Sequence, residues 1–286
     1  MLSQRQVGRS HRAEPRAGAG DRGRHRTGPC GALTRQRVAQ LERALAFLRA
    51  GIAATADTFR SIDAGIVANT PSLPLVWAVN QLRVAEALTF EELVELADEE
   101  MTGVDYRQIA VEHQQAGPGL EQAFRAAGWK VERDVLMVLS GSADRPADTS
   151  VVDDAGEDEV VEMMRRWYED DEPTPTEVDQ LADYGRREGR ALGDRLLGVR
   201  GGDGRLAAIT KLRSDGRTAQ VEDVYTVPEA RGRGFARALI SRATELAREG
   251  GHELVFIVAD DDDWPKLLYG RLGFRSAGHL WHFHHD

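Results

Sequence analysis

The chain has 286 residues, of which 41% are hydrophobic, and its formal net charge at pH 7 is -10. This length and apolar content suffice for two modest domains, each with its own core. The negative net charge argues against generic nucleic-acid binding, so we expect no nucleic-acid partner. No stretch approaches the roughly 20 apolar residues that cross a bilayer, and the N-terminus lacks the apolar core of a secretory signal. We therefore expect a cytoplasmic protein with no membrane partner.

Residues 1–32 form an arginine- and glycine-rich segment with seven arginines against Glu14 and Asp21. It has few large apolar residues, so burial cannot offset the entropy of ordering the backbone, and we predict a disordered tail. An inert tail, or an over-extended start of the reading frame, is favoured over nucleic-acid contact, because such charge runs usually stay solvated. The lone Cys30 has no neighbouring ligand cluster, which argues against a disulfide, redox or metal role.

Residues 33–141 alternate helical and strand patterns. Val38, Leu41, Leu45 and Leu48 recur at helical spacing. The later patterns predict strand 75–79, helix 90–97, strand 106–113, helix 119–127 and strand 131–139. This alternation indicates an α/β layer, and residues 140–146 are typical of a linker.

Residues 142–286 continue the alternation. The patterns predict strand 149–152, helix 157–168, helix 177–188 with Thr174 or Thr176 as N-cap, and strands 195–200, 206–213 and 221–227. Hairpin turns are expected at 201–204 and 214–216. The C-terminal end predicts strand 253–259, a short helix from 264 that ends at Gly273, and strand 278–284.

Residues 221–247 combine a strand, a glycine-bearing turn and the start of a helix. The first amides of a helix lack intrahelical partners, and the helix dipole adds positive potential there, so a pyrophosphate can bind on backbone N–H groups. Gly232 and Gly234 remove side chains where phosphate oxygens would approach the backbone. Three arginines add positive charge around the same turn: Arg231, Arg233 and Arg237.

Two nucleotide-binding motifs do not fit this turn: no Gly-Lys-Ser/Thr follows, and Arg237 occupies the third glycine position of a dinucleotide fingerprint. The remaining pattern, Arg-x-x-Gly-x-Ala at 231–236, resembles the acetyl-coenzyme A loop (Q/R-x-x-G-x-G/A) of the GNAT N-acetyltransferases. Downstream, Tyr269 stands five residues before Phe274 of a Gly-Phe pair, which resembles the second signature of that family, Y-x-x-x-G-F. The two signatures occur in the family's order.

The resemblance implies a mixed central sheet flanked by helices, acetyl-CoA as co-substrate, no metal, and direct attack by a primary amine of a small molecule or peptide. It implies that Tyr269 protonates the leaving thiolate and that Glu222 deprotonates the amine, with Asp223 as the alternative base. It further implies a cofactor site made by Tyr225, Thr226, Val227, Arg231, Gly232, Arg233, Gly234, Phe235, Ala236 and Arg237. The alternative is an acyl-CoA-binding sensor or scaffold without turnover. We expect a monomer or homodimer.

The two halves resemble each other. Residues 120–129 and the following strand parallel residues 267–274 and their following strand, which indicates an internal repeat. Phe124 then stands at the position of Tyr269, and residues 89–103 contain no Arg-x-x-Gly-x-Ala loop. We therefore predict a tandem protein, with 33–141 as a degenerate GNAT-like half of structural or substrate-shaping role and 142–286 as the acetyl-CoA-binding domain. An unrelated partner-binding first half is the alternative.

The acidic run at 260–263 and the C-terminal histidines have no assigned role from the sequence alone. The acidic run at 260–263, where the family often carries an Asn, either attracts a cationic substrate or solvates a loop. His279, His282, His284 and His285 alternate between strand faces and have no nearby cysteine or clustered carboxylate, so we predict no metal site. Residues 160–189, with Trp167, Tyr168 and several acids, are the expected acceptor region and leave the acceptor amine unidentified.

Overall fold

The computed structural model describes residues 30–169 and 174–286. The predicted disordered tail lies outside these residues, except for its last three, which begin the first helix. No helix in the two described ranges is both long and apolar enough to span a bilayer.

The helices and strands alternate along most of the chain. The described α-helices are α1 (Cys30–Thr55), α2 (Phe90–Glu100), α3 (Gly117–Ala126), α4 (Glu157–Glu169), α5 (Pro175–Leu192), α6 (Phe235–Glu249) and α7 (Pro265–Arg271). The strands are β1 (Thr58–Ile62), β2 (Gly65–Asn69), β3 (Gln81–Val84), β4 (Arg107–Val111), β5 (Lys130–Leu139), β6 (Val152–Asp154), β7 (Arg195–Arg200), β8 (Leu206–Ser214), β9 (Thr218–Thr226), β10 (Leu254–Asp260) and β11 (Phe274–His285).

The strands form one eleven-stranded sheet in the order β1-β2-β3-β4-β11-β5-β10-β9-β8-β7-β6. The last strand of each half reaches into the other half. β11 lies between β4 and β5 and is antiparallel to both. β5 lies between β11 and β10 and is also antiparallel to both. The two halves therefore share a single sheet by exchanging strands.

The sheet repeats itself on either side of the β5–β11 pair. Outward from β11 come β4, its parallel neighbour β3, and then β2 and β1. Outward from β5 come β10, its parallel neighbour β9, and then β8 and β7. Helices α3 and α7 precede the exchanged strands, and each is followed by a glycine of positive φ, Gly128 (84°) or Gly273 (97°). The predicted mixed α/β fold with two pseudo-repeated halves is confirmed.

Helices cover both faces of the sheet. Leu136 of β5 packs in a cluster with α1, whereas its neighbours Val135 and Met137 pack in the cluster of α6 and α7. Successive strand residues point to opposite faces, so α1 lies on one face and α6 and α7 on the other. Helices α4 and α5 pack on the α1 face of β8 and β9, and α2 and α3 cover the opposite face of the first half.

The predicted strand 75–79 is wrong. Trp77–Val79 is a 3₁₀ turn, and the strand is β3. The side chain of Asn80 stabilises the turn, because its Nδ2 donates to the carbonyls of Leu73 and Val76 and its Oδ1 accepts from the amide of Thr70. The hairpin of β1 and β2 was not predicted. The predicted strand 149–152 is instead the 3₁₀ turn Thr149–Val151, followed by β6.

Candidate active site

The parallel ladder between β9 and β10 ends before either strand does. Its last register pair is Val221 with Ile257, yet β9 continues to Thr226 and β10 to Asp260. β10 stays paired with β5 to its end, and β9 stays paired with β8 to its end. An opening therefore begins in the middle of the sheet, directly after Val221.

A β-bulge bends β9 at the start of this opening. The register with β8 passes from Ile209–Tyr225 to Lys211–Glu222, so β9 holds one more residue than β8 between these pairs. Asp223 within the bulge has a φ of 53°, the left-handed region that a non-glycine residue seldom adopts. The bulge turns the last residues of β9 away from β10.

Helix α6 follows β9 and begins without a side-chain cap. Its N-cap is Gly234, with a φ of 85°, no side chain caps the helix, and its first turn contains no acidic residue. Gly232 has a φ of 79°, and a Cβ added at either glycine would meet no atom within 4 Å. The helix start therefore has no side-chain cap and has free space around its two glycines, as an anion site requires.

The three arginines of the turn differ in their surroundings. Arg231 is exposed and its Nε donates to the carbonyl of Thr226 at 3.2 Å. Arg233 is exposed. Arg237 is buried, and its guanidinium donates to Asp144 at 2.7 Å in the predicted linker. The role of Arg237 at the cofactor stays a prediction, and its observed contact anchors α6 to the linker.

Tyr269 lies on α7, and its side chain is 7% exposed, within the same core cluster as Val221. Burial raises the pKa of its phenol, and the negative charges of Glu222 and Asp263 raise that pKa further. Like an ordinary phenol, Tyr269 is therefore protonated at neutral pH, the state in which it can donate a proton.

Glu222 and Asp223 have different surroundings although they are adjacent in the bulge. Glu222 is 6% exposed and accepts a hydrogen bond from the side-chain amide of Gln220. Asp223 is buried against the Lys211 ammonium, 2.6 Å away. Burial alone would raise the pKa of Asp223, but the surrounding positive charges, Lys211 foremost and Arg213 with it, together hold that pKa at about 2. An ion-paired carboxylate of such low pKa is a weak base, which favours Glu222 over Asp223 as proton acceptor.

Lys211 belongs to a buried network of charges beneath α5. Its ammonium also lies 3.8 Å from Glu188, which is ion-paired with Arg213. Arg213 in turn donates to Asp194 at 3.0 Å. Burial raises the pKa of Asp194 to about 6, against the lowering effect of Arg213. Lys211 and its partners were not singled out in the sequence, because nothing in the local pattern distinguishes a buried lysine in a strand.

The rest of the predicted cofactor strand lies beside α4 and the first half. The ring of Tyr225 stacks on that of Trp167 at 5.0 Å, and Val227 is buried in the same cluster. Phe235 and Ala236 are half-buried in the first turn of α6. Leu73 and Val76 of the first half pack in the cluster of Tyr225, so the first half forms part of the wall.

The acidic run and the histidines have partners in the fold. Asp261 accepts from Arg133 of β5 at 2.8 Å and from Lys266 at 2.9 Å, which ties the run to the first half. His282 lies 3.0 Å from Asp134 on the neighbouring strand. In the described ranges, no three side chains of His, Cys, Asp or Glu are arranged to hold a metal ion.

The comparisons with known proteins match this architecture. The family model described as Acetyltransferase (GNAT) family matches residues 158–274. An 83-residue segment is 39% identical to a mycothiol acetyltransferase of Clavibacter sepedonicus and covers 29% of this chain but only 27% of that relative.

Two solved structures share the fold over most of the chain. A functionally unknown conserved protein of Staphylococcus epidermidis has a TM-score of 0.61 at 14% identity, covering 80% of this chain and 93% of that chain. A GCN5-related N-acetyltransferase from Kribbella flavida has a TM-score of 0.52 at 19% identity, covering 90% of this chain and 96% of that chain. Residues 158–274 thus match the GNAT family of acetyltransferases, and the chain as a whole shares its fold with these solved structures.

Proposed function

We propose that this protein is an acetyl-CoA-dependent N-acetyltransferase that acetylates a primary amine of a small molecule or peptide. The observation that carries the proposal is the opening between β9 and β10, which has Glu222 at its start and the uncapped glycine start of α6 after its end. Tyr269 lies in the same core cluster as Val221, the last paired residue before the opening.

The residues present fit acetyl-CoA. The open space and positive φ at Gly232 and Gly234 leave room for phosphate oxygens against backbone amides, and exposed Arg231 and Arg233 supply positive charge. The separated end of β9, residues 225–227, would hold the pantetheine arm by backbone hydrogen bonds. When bound, acetyl-CoA supplies an activated acetyl thioester.

Each side chain then has one task. Glu222 is buried, and its negative charge raises the pKa of Tyr269. It accepts the proton that the ammonium of the acceptor, with an ordinary pKa of about 10.4, must lose before the amine attacks. A backbone amide of residues 225–227 stabilises the charge that develops on the carbonyl oxygen, an effect worth roughly 3 kcal/mol. Tyr269, protonated at neutral pH, donates its proton to the departing sulfur.

The acceptor is proposed only as a class. The relatives matched over 83 residues are named mycothiol acetyltransferases, and the segment is 27% of their length. We therefore propose a primary amine, without choosing a small molecule over a peptide. The expected cytoplasmic location and the monomeric or homodimeric state remain predictions.

Calorimetric titration with acetyl-CoA tests the proposal. Wild type should bind, and Gly234→Glu should abolish binding, because it places a carboxylate at the proposed phosphate site. Gly216→Glu is the matched control: Gly216 has a φ of 86° against 85° for Gly234, an added Cβ meets nothing within 4 Å at either, and Gly216 lies in the β8–β9 turn. The control carries the same backbone strain and should keep wild-type affinity.

The outcomes separate the alternatives. Loss of binding in Gly234→Glu alone supports the cofactor site, and turnover of an amine library then supports the enzyme. Binding without turnover of any amine favours the acyl-CoA sensor. If wild type does not bind acetyl-CoA, the proposal is wrong.

A further inference from the structure

A cavity of about 210 Å³ lies between α4, α5 and the sheet, apart from the opening between β9 and β10. Its floor includes Leu196 of β7 and Lys211 of β8, which face each other in the register. An exposed ion pair, Arg190 with Glu157 at 3.2 Å, stands at its outer edge. The cavity extends along α4 from Glu157 to Tyr168 and along α5 from Leu181 to Arg190.

Two glycines of α5 create much of this space. Gly185 and Gly189 are four residues apart on the helix, and both line the cavity. A Cβ added at either would meet no atom within 4 Å, and neither has a positive φ. Glycine inside a helix lowers stability relative to alanine, and here neither packing nor backbone conformation requires it. The two glycines therefore enlarge the cavity but do not stabilise α5.

The walls and the floor define the chemistry of an occupant. The walls are mostly apolar, from residues such as Val160, Met164 and Leu181. The charges at the floor are already compensated, since Lys211 lies 2.6 Å from Asp223 and Asp194 lies 3.0 Å from Arg213. A charged molecule would lose its hydration without gaining a counter-charge, so the cavity favours a neutral one.

Two polar groups that line the cavity, on Tyr168 and Lys211, favour an occupant that carries one hydrogen-bonding group. Tyr168 lines the cavity and is 1% exposed, yet its hydroxyl has no hydrogen-bond partner among the described residues. The Lys211 ammonium has three donors, and its contacts to Asp223 and Glu188 use at most two. A hydroxyl on the occupant would give the Tyr168 hydroxyl its missing partner, and Lys211 offers a further donor in the same cavity.

We propose that this cavity is a second ligand site, for a compact, neutral and mostly apolar molecule with one hydroxyl group. Apolar cavities of about 150 Å³ bind benzene in other proteins, so this space admits a ring of that size with a substituent. The cavity includes neither Tyr269 nor the turn before α6, so it stands apart from the proposed acetyl-transfer groups, although its helices overlap the region 160–189 expected to shape the acceptor.

Fluorine NMR of the full-length protein with 4-fluorophenol as probe tests the site. Wild type should give saturable broadening of the probe signal, and Gly185→Leu, which fills the cavity, should weaken binding by roughly tenfold or more. Gly119→Leu is the control, since Gly119 is an exposed glycine of α3 with no atom within 4 Å of an added Cβ. This control should leave probe binding unchanged.

Two further measurements keep the test decisive. Gly185→Ala adds only the Cβ for which there is room, so it should fold and weaken the probe less than leucine does. Tyr168→Phe should weaken 4-fluorophenol but not 4-fluorotoluene, which lacks the hydroxyl. Absence of saturable binding in wild type, or equal affinity in both Gly185 variants and wild type, would overturn the proposal.

Discussion

In each half a helix joins the two strands of a parallel pair, α2 between β3 and β4 and α6 between β9 and β10, but the two helix starts differ. In the first half, Thr89 caps α2: it accepts from the amide of Glu92, whose carboxylate accepts from the amide of Thr89. Glu91 and Glu92 make its first turn acidic. In the second half, α6 starts at Gly234 with no side-chain cap and no acid in its first turn. The first start satisfies its own amides and repels anions, whereas the second has no side chain that caps its amides.

The parallel strand pairs also differ, since one is closed to its end and the other opens. β3 and β4 stay joined to their ends, since the amide of Glu112 donates to the carbonyl of Val84 at 2.8 Å. β9 and β10 part after Val221, where the bulge begins. The first half also has Phe124, fully buried, where the second has Tyr269. The same architecture thus occurs in a closed copy with Phe124 and in an open copy with Tyr269.

Separating the halves should have the largest effect. A fragment of residues 142–286 lacks β5, so the facing edges of β10 and β11 lose their shared neighbour. We expect it to be insoluble or unfolded when expressed alone and to become soluble when co-expressed with residues 30–141. Solubility and circular dichroism measure this, and cooperative unfolding of the isolated fragment would instead favour an unrelated first half.

Removing the ion pair of the bulge tests what keeps β9 bent. Asp223→Asn tolerates the same positive φ but leaves Lys211 without its nearest carboxylate, so we expect a loss of about 3 kcal/mol in unfolding free energy at pH 7. The folded pKa of Asp223, about 2, lies below its ordinary value of 3.8. Its contribution is therefore complete above that ordinary value and is lost as the pH falls through the folded pKa.

Urea unfolding of wild type and Asp223→Asn between pH 3 and 7 measures this contribution. The difference should be constant at the upper end and shrink below about pH 4. Asp105→Asn, in the exposed loop before β4, is the control and should show little difference at any pH. A pH-independent difference for Asp223→Asn would contradict an ion-pair role.

Tyr269→Phe gives the second half the residue type of the first. We expect kcat to fall by about a hundredfold or more through loss of the proton donor, with an unchanged Kd for acetyl-CoA. Steady-state kinetics and calorimetry measure the two quantities. Tyr106→Phe is the control, because Tyr106 is a buried phenol of the first half that donates to the carbonyl of Pro74. Unchanged kcat in Tyr269→Phe would leave the tyrosine as a core residue only.

Removing the cap of α2 should have the smallest effect. Thr89→Ala should cost about 1 kcal/mol of unfolding free energy, the usual value for an N-cap threonine. It should leave acetyl-CoA affinity unchanged, because the helix start still carries Glu91 and Glu92. Denaturant unfolding and calorimetry check both statements. New affinity for acetyl-CoA in this variant would show that the cap alone closes the first half.

The local parts of the site could be predicted from the sequence. Gly232, Gly234 and the helix after them lie within a few residues of one another, so spacing alone indicated a helix start with open amides. The parallel between 120–129 and 267–274 likewise indicated the repeat, because each segment is a helix end with its own glycine. The capping of α5 by Thr174, with Glu177 three residues later, is equally local.

Contacts between distant segments could not be predicted in this way. The partner of Asp223 is Lys211 on another strand, and the partner of Arg237 is Asp144 in the linker. The apolar residues 75–79 fitted a strand, but Leu73, Val76 and Val79 turn instead toward the cluster of α4 and α5. Burial against another part of the chain decided their conformation, and no sequence pattern records that neighbour.

The sequence by itself determined most of the helices and strands, the glycine-bearing turn before α6 and the likeness of the two halves, because each depends on backbone groups and side chains within a few residues. The tertiary structure alone decided the exchange of β5 and β11, the bulge that opens β9 from β10 and the cavity beneath α4 and α5. These depend on pairing between strands far apart in the chain, which is settled when the whole sheet and its buried charges form together.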